Sequence, residues 1–170
     1  MTHTKKIKWS IDLESENFKL DSDYIFCFSH NDGFSEKLIS IDLSIAKNFQ
    51  FELEVSDFDN IPAYSNKPFF ARLEGTIPTQ LKELIEKVIL IRDFKQFEIF
   101  NPLHPGATDQ GYQLFLINRT GQTRHVYLPI EELNLNTLEA NKDQMLIQEL
   151  HHHINIWTKR MYQLLKENCS

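Results

Sequence analysis

The chain has 170 residues, 41% hydrophobic and 25% charged, with 13 Phe and a formal net charge of −6, a make-up that suits one packed domain and argues against disorder. An acidic surface repels phosphate backbones, and no basic stripe with interleaved aromatics occurs, so nucleic acid is not an expected partner. Cys27 and Cys169 make no disulfide framework, Lys8, Trp9, Ser10 and Asp12 interrupt any signal-peptide core, and no apolar run is long enough to span a membrane, so the expectation is a reduced, cytoplasmic protein.

Ile7, Trp9, Ile11 and Leu13 alternate with Lys8, Ser10, Asp12 and Glu14, the two-residue period of a half-buried strand. Tyr24–Ser29 is almost wholly apolar, as a strand covered on both faces is. Turn residues at His30-Asn31-Asp32-Gly33 separate it from the plainest pair of strands, Lys37–Ile45 and Asn48–Ser56, with Ala46-Lys47-Asn48 closing the hairpin between them. Ile39, Ile41, Leu43 and Ile45, then Phe49, Phe51, Leu53 and Val55, mark one face as apolar. Ser40, Asp42 and Ser44, then Gln50, Glu52, Glu54 and Ser56, mark the other as polar and acidic. Asp57–Pro68 contains two prolines and reads as a long connection to a strand at Phe69–Glu74.

The period then changes to that of a helix. Leu81, Leu84, Ile85, Val88 and Ile89 predict an amphipathic helix over Pro78–Ile91, with Thr76 or Thr79 as candidate cap. A strand is expected at Phe94–Phe100, then a turn-rich stretch, Asn101–Gly111, then a hairpin of Tyr112–Asn118 and Gln122–Leu128 around Arg119-Thr120-Gly121. The longest element runs from about Asn141 to Glu167. Ile147, Leu150, Ile154, Trp157, Met161 and Leu164 form its apolar stripe, and Asn141 with Gln144 resembles a capping box. The stripe is expected to pack on the protein's own sheet; the alternative is pairing of two copies through this helix. Residues 1–170 therefore predict a single α+β domain. Its mostly antiparallel sheet has about seven or eight strands, curled or sandwich-like, with a middle helix and a long C-terminal helix packed on it.

Motifs for chemistry are weak. His151-His152-His153 are consecutive on a helix and splay, with His152 pointing away from the core and the other two on its flanks, so no metal site is expected. Gly106–Gly111 has the two-glycine spacing of a phosphate loop, but Tyr112 and Gln113 stand where Lys and Ser or Thr are needed. Cys27 lies among Ile25, Phe26 and Phe28, which suits a core residue better than a nucleophile. No cofactor is implied. One catalytic or small-ligand pocket can be assembled from His104, Asp109, Arg124 and His125, with the histidines as acid and base.

The concentration of like charge at Asp42, Glu52, Glu54, Asp57 and Asp59, with Lys47 the only base among them and Tyr64 in the adjoining connection, supports a different use. Repulsion within such a cluster costs stability, and a basic protein partner would relieve it. The leading expectation is a non-enzymatic protein-binding domain, for example an inhibitor or immunity-type protein. The pocket around His104, Arg124 and His125 is the alternative.

Overall fold

Period-two segments build a six-stranded sheet, and helical segments cover one of its faces. The computed structural model describes residues 8–12, 14–15, 17–33, 37–59, 68–94, 97, 110–128 and 141–169, with backbone alone for Gly33, Lys37, Phe58, Asp59, Gln110 and Cys169. The strands are β1 (Trp9–Asp12), β2 (Asn17–Leu20), β3 (Tyr24–Gly33), β4 (Lys37–Ala46), β5 (Gln50–Asp59), β6 (Phe69–Thr76), β7 (Gln110–Arg119) and β8 (Gln122–Leu128). The helices are α1 (Thr79–Ile89) and α2 (Lys142–Cys169). The large sheet has the order β6-β5-β4-β3-β7-β8, and β1 with β2 forms a separate hairpin. Every pairing is antiparallel.

Alternation assigns the two faces. Phe26 and Phe28 of β3, Ile41, Leu43 and Ile45 of β4, Phe51, Leu53 and Val55 of β5, and Phe115 and Ile117 of β7 form the main core with both helices. Leu81, Leu84, Ile85 and Val88 are the buried side of α1. Ile147, Leu150 and Ile154 are buried on α2, while Trp157 packs at 90° to the Phe51 ring. The stripe on α2 is thus buried in the protein's own core from Ile147 to Ile154 and partly so at Trp157 and Met161, while Leu164 is exposed, and each fully buried Leu or Ile contributes about 1.5 to 3 kcal/mol there. Asn141 caps α2 with the expected reciprocal bonds: the Gln144 N–H donates to its Oδ1 at 2.9 Å, and its own N–H donates to Gln144 Oε1 at 3.0 Å.

A second core lies on the opposite face. Phe18, Leu20, Tyr24, Cys27, Leu114 and Leu116 are buried there, with Trp9 and Ile11 against them. The β1–β2 hairpin supplies this cover, and β2 touches β3, β7 and β8. That explains the apolar character of β3 on both faces.

Five local expectations are corrected. His30-Asn31-Asp32-Gly33, expected as a turn, extends β3 and pairs with β4 and β7, and Asp57–Asp59, expected to open the long connection, belong to β5. β2 was not anticipated, because four residues show too few alternations to stand out. Phe94 and Phe97, the two described residues of the strand expected at Phe94–Phe100, form a tight turn in which the Phe97 N–H donates to the Phe94 carbonyl. Neither Thr76 nor Thr79 caps α1, which begins after Pro78 with no side-chain cap; proline at that boundary lacks an N–H and presets its own φ. Both hairpin turns use positive φ: Phe49 at 62°, against the preference of a bulky side chain, and Thr120 and Gly121 at 49° and 78°, the positive pair that a two-residue hairpin turn needs.

Candidate functional site

The acidic side chains of the sheet divide between its two faces. Glu52 and Glu54 point to the hairpin side, in register with Glu74 and Arg72 of β6 and with Ser44 and Asp42 of β4. Glu52 lies at the centre of this group. Its carboxylate accepts from the Tyr24 hydroxyl at 2.8 Å and from Arg72 Nη2 at 2.8 Å, and Lys8 Nζ stands 3.0 Å away. Lys8 also lies 3.5 Å from Glu54, and Arg72 also pairs with Glu74 at 2.6 Å. Asp42 accepts from the Ser29 hydroxyl at 2.7 Å. Burial pushes the Glu52 carboxyl up, but the Tyr24 hydroxyl, Lys8 and Arg72 outweigh it and hold the group below the ordinary carboxylate range.

This face is therefore not the fully solvated front that alternation alone suggests. Glu54 is only 8% exposed, because Lys8 beside β1 covers it. Asp57 is on the other face altogether, sharing its side with Val55 and Ile39. It is buried and accepts from the Tyr162 hydroxyl and from Lys166 Nζ of α2, so it clamps the helix. Tyr64 lies outside the described residues, as does the side chain of Asp59.

Two members of the alternative pocket, Arg124 and His125, do not converge. Arg124 is opposite Ile117 and His125 opposite Leu116, so these neighbours project from opposite faces of β8. Arg124 is exposed and donates to Gln122, while His125 packs 4.9 Å from the Phe18 ring and 5.4 Å from the Tyr127 ring. His104 and Asp109 lie outside the described residues. Burial pushes the Cys27 thiol up to about 12, and Ser44 Oγ is its near neighbour at 3.7 Å, so the thiolate a nucleophile needs is absent at neutral pH. His152 is exposed as expected, but His151, expected on a flank, is buried.

One polar constellation had no counterpart in the sequence motifs. His30 Nε2–H donates to Asp32 Oδ1 at 2.6 Å, and Gln113 Nε2 donates to His30 Nδ1 at 2.7 Å and to Asn155 Oδ1 at 3.1 Å. His151 Nε2 closes a ring by touching both Gln113 Oε1 and Asn155 Nδ2. A ring nitrogen is either a donor or an acceptor, and each amide has one end of each kind. If His151 satisfies both amides, the two remaining amide ends are alike and face each other. At most two of the three contacts in this triangle are hydrogen bonds at any instant, whatever the tautomer. Gln113 is 1% exposed and His151 6%, so the mismatch is not relieved by bulk water.

The signal for this constellation was present but scattered. His30 continues the Phe26, Phe28 alternation, Gln113 precedes Phe115 by two, and His151 and Asn155 flank Leu150 and Ile154. Each is a polar residue in an apolar frame, and only the packing of three elements brings them together.

No family model matches the chain, and no curated protein matches it in sequence.

Proposed function

We propose that this chain is a non-enzymatic protein-binding domain whose acidic sheet face engages a basic protein partner. The observation that carries the reading is that the face already binds both kinds of cation from its own chain, the Lys8 ammonium and the Arg72 guanidinium, on preset carboxylates. Among the described residues, the carboxylates Asp42, Glu52, Glu54 and Glu74 outnumber the cations Lys8 and Arg72 that pair with them. A residual negative field steers a basic partner, and a partner cation able to replace Lys8 would inherit its carboxylates.

The test is affinity capture from the native host, followed by titration of the captured protein against wild type and against the Glu52→Gln, Glu54→Gln double variant. Binding should weaken about tenfold or more in the variant and fall with added salt. An unchanged affinity with the variant folded, or binding indifferent to salt, removes the acidic face from the reading.

A further inference from the structure

The β6 edge of the sheet carries a self-complementary pattern. β6 ends the strand order, and among the described residues nothing hydrogen-bonds to its outer side. It runs eight residues, FFARLEGT, without lysine or proline, and its pairing with β5 continues from Thr76 to Phe69 without a shift in register. Of the usual protections of an open edge, β6 lacks lysine, proline, a bulge and short length, and its only charges are Arg72 and Glu74, of opposite sign. Phe70 is instead 63% exposed there. Each end strand also touches a covering element, β6 the helix α2 and β8 the strand β2.

We propose that β6 pairs antiparallel with β6 of a second copy about a two-fold axis at Leu73, joining two sheets into one of twelve strands. The argument is self-complementarity. With Leu73 on the axis, Arg72 stands opposite Glu74 of the second copy, and Glu74 stands opposite its Arg72. Phe70 meets Thr76 on the same face. On the helix face Leu73 meets Leu73, and Ala71 meets Gly75, whose missing Cβ leaves room for the Phe51 ring of the same chain. Opposed residues in an antiparallel pair share a face, so apolar meets apolar on one side and opposite charges meet on the other. A two-fold interface needs this identity of the patch with itself. Arg72 and Glu74 are the more exposed members of their charge cluster, with side chains 46% and 61% accessible, and both remain able to reach across an edge. The inference does not depend on the acidic-face reading, since a dimer could exist with or without a basic partner.

Charge reversal tests the register directly. Wild type should sediment as a dimer. Arg72→Glu alone and Glu74→Arg alone each place like charges at both symmetry-related positions, and each should weaken dimerisation about tenfold or more. An equimolar mixture of the two variants restores opposite charges at both positions and should form a one-to-one heterodimer near wild-type strength. Circular dichroism establishes that each variant is folded. Should either fail to fold, hydrogen exchange on wild type decides instead: amides of β6 should become more protected as protein concentration rises. A wild type that stays monomeric, a mixture that does not dimerise, or β6 exchange independent of concentration overturns the proposal.

Discussion

Acidification should weaken this fold through His151 before the carboxylates titrate. The His151 imidazole is pushed down to about 4, by burial first and then by the positive charges of Lys159, His30 and His152. The groups around it are His30, Asp32 and Gln113 from β3 and β7, and Asn155, His152 and Lys159 from α2 itself. In the unfolded chain the imidazole titrates near its ordinary value of 6.5. Below that value the unfolded state takes up a proton that the folded state refuses. Stability is therefore complete above about pH 6.5 and is lost as pH falls toward about 4, where the folded state accepts the proton as well. The loss is about 2 kcal/mol by about pH 5 and about 3 kcal/mol once both states are protonated. His30 is also lowered, by burial against the opposing pull of Asp32, and adds in the same direction. Urea unfolding at a series of pH values measures this, and His151→Leu should remove most of the slope between neutrality and about pH 5. The same variant takes His151 from Gln113 Oε1 and Asn155 Nδ2, which already pair with each other only through Gln113 Nε2 and Asn155 Oδ1, so it should also cost about 1 to 3 kcal/mol at neutral pH. Wild-type stability that does not change over that window, or a His151→Leu protein that keeps the full slope, refutes the reasoning.

Asn155→Asp gives the polar triangle two acceptor oxygens, one for the Gln113 amide and one for His151 Nε2–H, and the new carboxylate should raise the His151 pKa in an NMR titration; an unmoved or lowered value counts against the ring geometry. Asp57→Ala removes the anchor of Tyr162 and Lys166 and should cost about 1 to 3 kcal/mol, with faster hydrogen exchange in the last turns of α2 but not at its capped start. Equal acceleration along the whole helix would contradict a local clamp. Gly111→Ala would set a Cβ 2.4 Å from the Asn31 carbonyl oxygen and 2.5 Å from the Asp32 carbonyl carbon, so β3 and β7 must separate there. A loss of about 1 to 3 kcal/mol in thermal or urea unfolding is expected, and wild-type stability would refute it.

Much of the architecture was legible because it is local. Ile39 to Ile45 and Phe51 to Val55 state their faces by alternation, Leu81 to Val88 and Ile147 to Ile154 state a helical period, and Asn141 with Gln144 closes its own cap. Proximity in sequence groups Asp57 with the acidic face, although its parity with Leu53 and Val55 already puts it on the other side. Its partner could not be placed, because Lys166 lies 109 positions away. The acidic face was legible as a pattern but not in its electrostatics: Lys8 reaches Glu52 and Glu54 only after β1 and β2 fold across the sheet. Arg124 and His125 looked like a pair by adjacency, yet adjacency on a strand means opposite faces.

Local spacing alone therefore determined the class of fold, the apolar side of each main strand and both helices, since periods of two and 3.6 follow from backbone geometry. Tertiary structure decided the rest: which face the hairpin covers, which acids are neutralised, where α2 is clamped, and the meeting of His30, Gln113, His151 and Asn155. Hydrogen bonds and ion pairs act over a few ångströms, and residues far apart in the chain acquire those distances only when the sheet order β6-β5-β4-β3-β7-β8 and the docking of α2 are in place.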